Sequence, residues 1–267
     1  MVALCEKDEV SARKFLRELG RKVEVYRDYR ELLEHGLDVV VLTGYYPDHA
    51  PQAVEALKRG INVLSEVCAC HTLAQGVELC RVAEEAQQKG VHYMLAENCC
   101  YFNTVQEMET GRWDGDGRKI ESLLKVHRQK VMEEASVEVY EPPFRRFAEE
   151  ASGAGHGGGD LFVVWEFMEA LAHNRRPPID VYMAMDMTLP GILAYRSALM
   201  GGVPLEVPDF RREDVRRLYE ADTWDPDPRK AGPGDPPPSV LGKVEISEDV
   251  KALLEEKTRR YREESDG

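Results

Sequence analysis

The chain has 267 residues, 43% of them hydrophobic, and a formal net charge of −14. That length suffices for one large folded unit or two small ones with a real core. The acidic balance argues against nucleic acid or an anionic membrane as partner, since both need a basic footprint, and no apolar stretch approaches a membrane span.

The first hundred residues repeat one pattern. Short apolar runs at 2–5, 23–26, 39–43, 63–65 and 93–96 are rich in β-branched residues and bounded by turn chemistry, as strands buried on both faces are. Helical stretches lie between them. Asp8 precedes one that Gly20 ends, and Asp28 precedes one that Gly36 ends. Asp48 and Gly60 bracket the third, and Thr72 and Gly90 the fourth. An Asp or Thr cap satisfies free N–H groups at a helix start, and glycine accepts the left-handed turn past its end. The alternation predicts an α/β fold, a parallel doubly wound sheet of Rossmann-like type.

In such a sheet, ligands bind beyond the carboxyl ends of the strands. A dinucleotide site has a glycine turn after the first strand and an acid about 20 residues later on the ribose hydroxyl. Glu6, at the end of the run 2–5, stands where that acid belongs. Counting back from it leaves no room for the glycine turn. The expectation is therefore an incomplete Rossmann-like sheet lacking its first β-α unit, with Glu6 either a ribose ligand or a solvated residue at a strand end. Gly153, Gly155 and Gly158 spell G-x-G-x-x-G, but the preceding FAEEA is no buried strand. A flexible entry into the helix near Asp160 explains them better than phosphate binding.

Two stretches carry a resemblance. DVVVLTGYYPDHAPQAVEALKRGINVLSEVCACHTLAQGVELCRVAEEAQQKGVHYMLAEN, followed by GHGGGDLFVVWEFMEALAHNRRPPIDVYMAMDMTLPGILAYRSALMGGVPLEVPDF, resembles the Gfo/Idh/MocA oxidoreductases. The family's landmarks fall on Thr43 at a strand end, His49 opening the next helix, and Glu66-Val67-Cys68 in place of Glu-Lys-Pro. The Glu-Val spelling, LAENCCYF and HGGGD bring the chain closest to the branch with NAD-dependent glycosidases of the α-N-acetylgalactosaminidase type. The resemblance implies NAD or NADP as cofactor and a sugar, cyclitol or sugar derivative as substrate. It also implies a second, open-sheet α+β domain, which this chain holds only in shortened form. The expected division is 1–100 for the Rossmann-like domain, 101–223 for the shortened C-terminal α+β domain, and 224–267 for a Pro-rich tether and a terminal helix capped by Ser247.

By the same resemblance, Glu6, Thr43, His49, Glu66 and Asn98 are candidate cofactor contacts, and Tyr101, His156 and Tyr182 candidate substrate contacts or catalytic groups. Each has a plain alternative: a loop carboxylate for Glu66, a surface histidine for His49, a turn for Asn98, and packing for the rest. Val67 stands at the family's lysine position and can neither donate a proton nor anchor a hydroxyl. Six cysteines lack metal spacing and read as buried reduced thiols of a cytoplasmic protein, with no metal expected. Residues 211–221 read as a charged helix, and a homo-oligomer is a further expectation.

Three functions follow. The first is hydride transfer from a sugar or cyclitol to nicotinamide. The second is NAD-assisted glycoside cleavage by transient oxidation and elimination, which leaves no net NADH. The third is a non-catalytic remnant or binding module, consistent with the missing glycine turn.

Overall fold

The computed structural model describes residues 1–101, 125–128, 136–139, 147–227, 229–230, 232–242 and 245–266. The β-α alternation is present with the boundaries its caps predict. Strand β1 (Ala3–Cys5) leads to α1 (Glu9–Leu19), β2 (Glu24–Tyr26) to α2 (Tyr29–Leu33), and β3 (Val39–Leu42) to α3 (His49–Lys58). Strand β4 (Asn62–Ser65), α4 (Leu73–Gln87) and β5 (Tyr93–Leu95) complete the series. Asp8 accepts from Ser11 N at 2.8 Å, and Gly20 closes α1 in the left-handed conformation at φ 66°. Thr72 and Gln75 form a reciprocal capping box at the start of α4. Asp48 makes no cap bond; it pairs with Lys230 instead.

The five parallel strands form two sheets, not one. β1 pairs with β2, while β3, β4 and β5 pair in that order. The core lies around the second sheet, where Val63, Leu64, Met94 and Leu95 are buried between α3 and α4 on one side and later helices on the other. Each such side chain contributes about 1.5–3 kcal/mol. The far edge of β5 is covered, because Leu95 N donates to the Ile179 carbonyl at 3.0 Å.

Beyond the sheets, β6 (Lys125–Arg128) and β7 (Ser136–Val139) make an antiparallel ribbon. The stretches around it, where the second domain was expected to be shortened, lie outside the described residues. Helices α5 (Ala148–Ser152), α6 (Gly159–Ala172) and α7 (Val181–Leu199) follow, and α7 packs on α4 and β5. The charged helix expected over 211–221 is a single turn, α8 (Glu213–Arg216), flanked by turns. Its Arg216 is buried because it meets the Glu84 carboxylate with two bonds, at 2.8 and 2.9 Å.

The Pro-rich segment is a packed strap in its first half and not a free tether. Asp225 and Asp227 are buried, and each folds the backbone by accepting an amide two residues on, at 2.8 and 3.0 Å. The terminal helix α9 (Glu248–Asp266) lies along α1, with Lys14 Nζ 4.5 Å from the centre of the Tyr261 ring. Cys70 and Cys80 are buried, as expected of structural thiols, whereas Cys68 and Cys99 are exposed. Among the described residues, no helix is long and apolar enough to cross a membrane, and no three His, Cys, Asp or Glu side chains converge to hold a metal.

Candidate functional site

The carboxyl ends of β4 and β5 carry Glu66 and, three residues past β5, Asn98. Both are half-buried. Glu66 is fixed by its own backbone, whose N–H donates to the Leu42 carbonyl at 2.8 Å and extends the β3–β4 ladder by one bond. The turn from Asn98 to Tyr101 packs on α6, with the Tyr101 ring stacked on Phe162 at 6.5 Å between centroids and 18° between planes. That packing delivers the first turn of α6, and with it Asp160, to Asn98.

Asp160 is the centre of the cluster. Asn98 Nδ2 donates to Asp160 Oδ1 at 3.1 Å, and His156 Nδ1 lies 3.0 Å from both carboxylate oxygens. The glycines around His156 explain how the chain makes so tight a pair. Gly157 and Gly158 take left-handed φ values of 61° and 96°, and His156 itself sits at 49°, a conformation uncommon outside glycine. A Cβ added at Gly155 would meet Asp160 Oδ2 at 2.3 Å. The G-x-G-x-x-G spelling thus folds around a carboxylate of its own chain, and no phosphate cradle forms there.

The electrostatics follow from this geometry. The hydrogen bond to Asp160, that carboxylate's charge and the further charge of Glu66 raise the His156 imidazole above its ordinary value, against a small opposing effect of burial. For Asp160, burial pushes upward, but the bonds from His156 and Asn98 outweigh it and hold the carboxyl low. The result is a histidine–carboxylate pair, largely exposed, that favours the protonated imidazole, with a second carboxylate within electrostatic range. Such a pair can give a proton to, or hold one near, an oxygen brought to the strand ends.

The other predicted residues are placed as follows. Glu6 ends β1, half-buried, with Oε1 accepting from Asp8 N at 2.8 Å. Thr43 is exposed at the end of β3. His49 is 1% exposed, so the surface alternative fails; its Nε2 meets the Gly44 carbonyl at 3.1 Å and braces the β3–α3 turn. Tyr182 is not part of the cluster. Its hydroxyl donates to Glu84 near the far end of α4, between the guanidinium groups of Arg176 and Arg211. Burial, then the Glu84 bond, pushes its phenol up to about 12. Asp160 was read only as a helix start, although its place four residues after His156 was a signal available in HGGGD.

A second group of side chains borders β3 and β4. His71 Nε2 lies 2.6 Å from Asp225 Oδ1 with both side chains almost buried, and Tyr46 packs edge-on against His71. Arg229 sits 3.4 Å over the Tyr45 ring, and Lys230 meets Asp48 at 2.6 Å. The strap therefore lies across the loop that follows β3.

The residues fit a dinucleotide in part. Glu6 and Glu66 place half-buried carboxylates at the ends of β1 and β4, and Thr43 is exposed at the end of β3. A backbone cradle for the pyrophosphate is missing among the described residues, the one candidate turn being closed by Asp160.

Comparison with known proteins agrees with both halves of the sequence resemblance. Residues 1–94 match the family model described as "Oxidoreductase family, NAD-binding Rossmann fold", and residues 102–216 match "Glycosyl hydrolase 109, C-terminal domain". A glycosyl hydrolase family 109 protein of Stenotrophomonas maltophilia is 34% identical over 91 residues, covering 34% of this chain and 20% of that protein. An alpha-N-acetylgalactosaminidase of Tannerella forsythia is 28% identical over 104 residues, covering 38% and 22%. The matched part thus spans about a fifth of these relatives' length. Among solved structures, myo-inositol 2-dehydrogenase from Lactobacillus plantarum aligns with a TM-score of 0.38 at 20% identity, over 41% of this chain and 32% of the other. A dehydrogenase from Chromobacterium violaceum aligns at 0.38 and 25%, over 41% and 31%. The part of the chain similar to the oxidoreductase family model thus precedes the part similar to the glycosyl hydrolase 109 C-terminal model.

Proposed function

We propose that this chain is the cofactor-side part of an NAD(P)-dependent enzyme that oxidises a hydroxyl of a sugar, cyclitol or sugar derivative. The observation that carries the reading is the His156–Asp160–Asn98 cluster, with Glu66 in electrostatic range at the strand ends where a Rossmann-like sheet holds its ligand. When bound, the nicotinamide would take up the hydride from the carbinol carbon. Glu6 and Glu66 would hold its riboses, with Thr43 and Asn98 beside them and His49 bracing the loop below. In this reading, His156 manages the proton of the substrate hydroxyl while Asp160 fixes its ring and charge, and Tyr101, stacked on Phe162, lies beside them.

A second reading has specific support: residues 102–216, which contain the His156–Asp160 pair but not Asn98 or Glu66, match the glycosyl hydrolase 109 C-terminal domain model. Transient oxidation of a sugar hydroxyl acidifies the neighbouring C–H and permits loss of the aglycone, with no net consumption of NAD. One assay separates the two. The chain is incubated with NAD⁺ and either myo-inositol or a p-nitrophenyl N-acetyl-α-galactosaminide, and nitrophenolate and NADH are followed together. NADH without nitrophenolate supports the dehydrogenase, and nitrophenolate without NADH supports the glycosidase. Neither product, with no thermal shift from NAD⁺ or NADP⁺, rejects both and leaves the non-catalytic reading.

A further inference from the structure

The glycine-rich segment shapes the His156–Asp160 pair but does not aim it. Residues 153–159 hold five glycines, and Gly157 and Gly158 take left-handed φ. The amides of Gly153, Ala154, Gly158 and Asp160 donate to the carbonyls of Glu150, Ala151 and Gly155, so these bonds close within the segment. The pair itself is local, at an i, i+4 spacing. Its direction toward the strand ends needs a contact from outside.

Asn98 supplies that contact from a rigid support. β5 is buried throughout, and Ala96 N donates to the Ser65 carbonyl at 2.7 Å, which carries the β4–β5 ladder one bond further. Asn98 follows two residues later, and Glu97 Oε1 fixes the turn by accepting from Cys99 N at 3.0 Å. Both ends of the Asn98 amide are engaged: Nδ2 donates to Asp160 Oδ1 at 3.1 Å, and Oδ1 accepts from the Cys99 thiol at 3.6 Å. Chemistry dictates this orientation. Asp160, held low, is an acceptor only and must face the NH₂ group. The hydrogen bond to Glu97 raises the Cys99 thiol, which therefore stays protonated and has a hydrogen to share with Oδ1.

The partner of one imidazole nitrogen decides which nitrogen carries the proton in the neutral ring. His156 Nδ1 lies 3.0 Å from both Asp160 oxygens, so Nδ1 keeps its hydrogen for the carboxylate. Nε2 is left as the nitrogen that gains and loses a proton, on a side chain 66% exposed.

We propose that Asn98 is the positioning residue of this pair: by tying Asp160 to the end of β5 it sets His156 so that Nε2, and not Nδ1, exchanges a proton with the substrate hydroxyl. In the oxidation direction, the neutral ring takes the hydroxyl proton at Nε2 while the carbinol carbon gives its hydride to the nicotinamide. The O–H and C–H bonds break, a carbonyl forms, and the ring becomes an imidazolium whose charge Asp160 offsets. Nδ1 stays on the carboxylate throughout. Asn98 touches neither substrate nor cofactor in this role; it acts through Asp160. The inference deepens the proton role given to His156 above and rests on it.

The test follows the His156 ring and the Asn98 side-chain amide by nitrogen-15 NMR against pH, on the whole chain without nicotinamide or sugar. Its failure is therefore distinct from a failed turnover assay. Above the His156 midpoint, the expected neutral ring carries its hydrogen on Nδ1 and none on Nε2. In the parent chain, the Asn98 Nδ2–H resonances shift as Asp160 takes up its proton. Glu66→Gln lowers the His156 midpoint, because the Glu66 charge raises it. Asn98→Leu, close in size but without the amide, keeps the Nδ1–H form, since the i, i+4 pair is local. In that background, however, Glu66→Gln no longer moves the midpoint. A residue that merely filled space would leave the two positions uncoupled. Unchanged amide exchange at Met94 and Leu95 certifies that the leucine variant is folded; if it is not, the Asn98 resonances of the parent decide. A neutral ring protonated on Nε2, Asn98 resonances indifferent to Asp160, or a full response to Glu66→Gln without Asn98 overturns the proposal.

Discussion

His156 Nδ1 lies 3.0 Å from both oxygens of the Asp160 carboxylate, and Gly155 is the residue that lets them meet. Because the pairing raises His156 and lowers Asp160, both groups are charged across the whole interval between their folded values. The His156 contribution is fully present below its unfolded pKa and is lost as pH rises through the raised folded value. The Asp160 contribution is present above its unfolded pKa and is lost as pH falls through the lowered one. Asp160→Asn should therefore return the imidazole to the ordinary range of about 6.5, read as the midpoint of its Cε1–H resonance against pH. An unchanged midpoint would remove Asp160 from the cluster's electrostatics.

Gly155→Ala tests the same pair without touching a charge. At φ −62° and ψ 165° the backbone accommodates alanine, so the only obstacle is the Asp160 oxygen at 2.3 Å from the new methyl. The expected outcome is a His156 midpoint lowered as in Asp160→Asn, with the unfolding transition still cooperative. A preserved midpoint would mean that Asp160 relaxes by rotating while keeping its partner.

The contrast between legible and hidden features turns on how local the cause is. Helix α1 was bounded correctly because Asp8 and Gly20 act within one turn of the chain. The five strand positions followed from apolar runs between such caps. The cluster at Asp160 was overlooked because its glycines imitate a phosphate turn, although the i, i+4 spacing of His156 and Asp160 was there to read; the contact with Asn98 shows only in the three-dimensional path. The strap at Trp224 to Asp235 read as a tether because proline and glycine dominate its composition; what holds it is His71, more than 150 positions earlier. Arg216 read as one charge among many on a charged helix, and its burial against Glu84 shows only in the fold.

The strap gives a prediction of its own. Asp225 Oδ1 faces His71 Nε2 at 2.6 Å, with side chains 10% and 9% exposed. Asp225→Ala leaves the imidazole buried without its partner and removes the acceptor that shapes the turn at Asp227. Trypsin cleavage after Arg229 and Lys230 should become markedly faster than in the parent chain, while cleavage in α4 after Arg81 stays slow. Equal rates at Arg229 would show that the strap is held elsewhere.

Arg216 and Glu84 supply a stability test with a built-in control. The Arg216 side chain is 5% exposed and makes two charge-assisted bonds. Arg216→Ala strands the Glu84 carboxylate beside Tyr182 and should cost about 3 kcal/mol, read from urea unfolding. Arg212→Ala removes an exposed pair with Asp214 and should leave the midpoint where it was. Similar losses in both would mean that the helix turn, and not the buried pair, carries the effect.

Gly76 poses a conflict between helix propensity and packing. Alanine in a helix interior is ordinarily favoured over glycine by about 1 kcal/mol. At this position, however, the added methyl would lie 3.0 Å from Met185 Sδ, 3.1 Å from Cys70 Sγ and 3.1 Å from Phe210 Cε2, where α4 and α7 approach closely. Overpacking costs about 1–3 kcal/mol, so packing wins and Gly76→Ala should be net destabilising. Met185→Ala opens one of the three crowded sides, leaving Cys70 and Phe210, and should reduce the cost of the same substitution. A double-mutant cycle measures this as a favourable coupling between the two positions. Additive losses would show that the glycine is required by the α4 backbone and not by its neighbour.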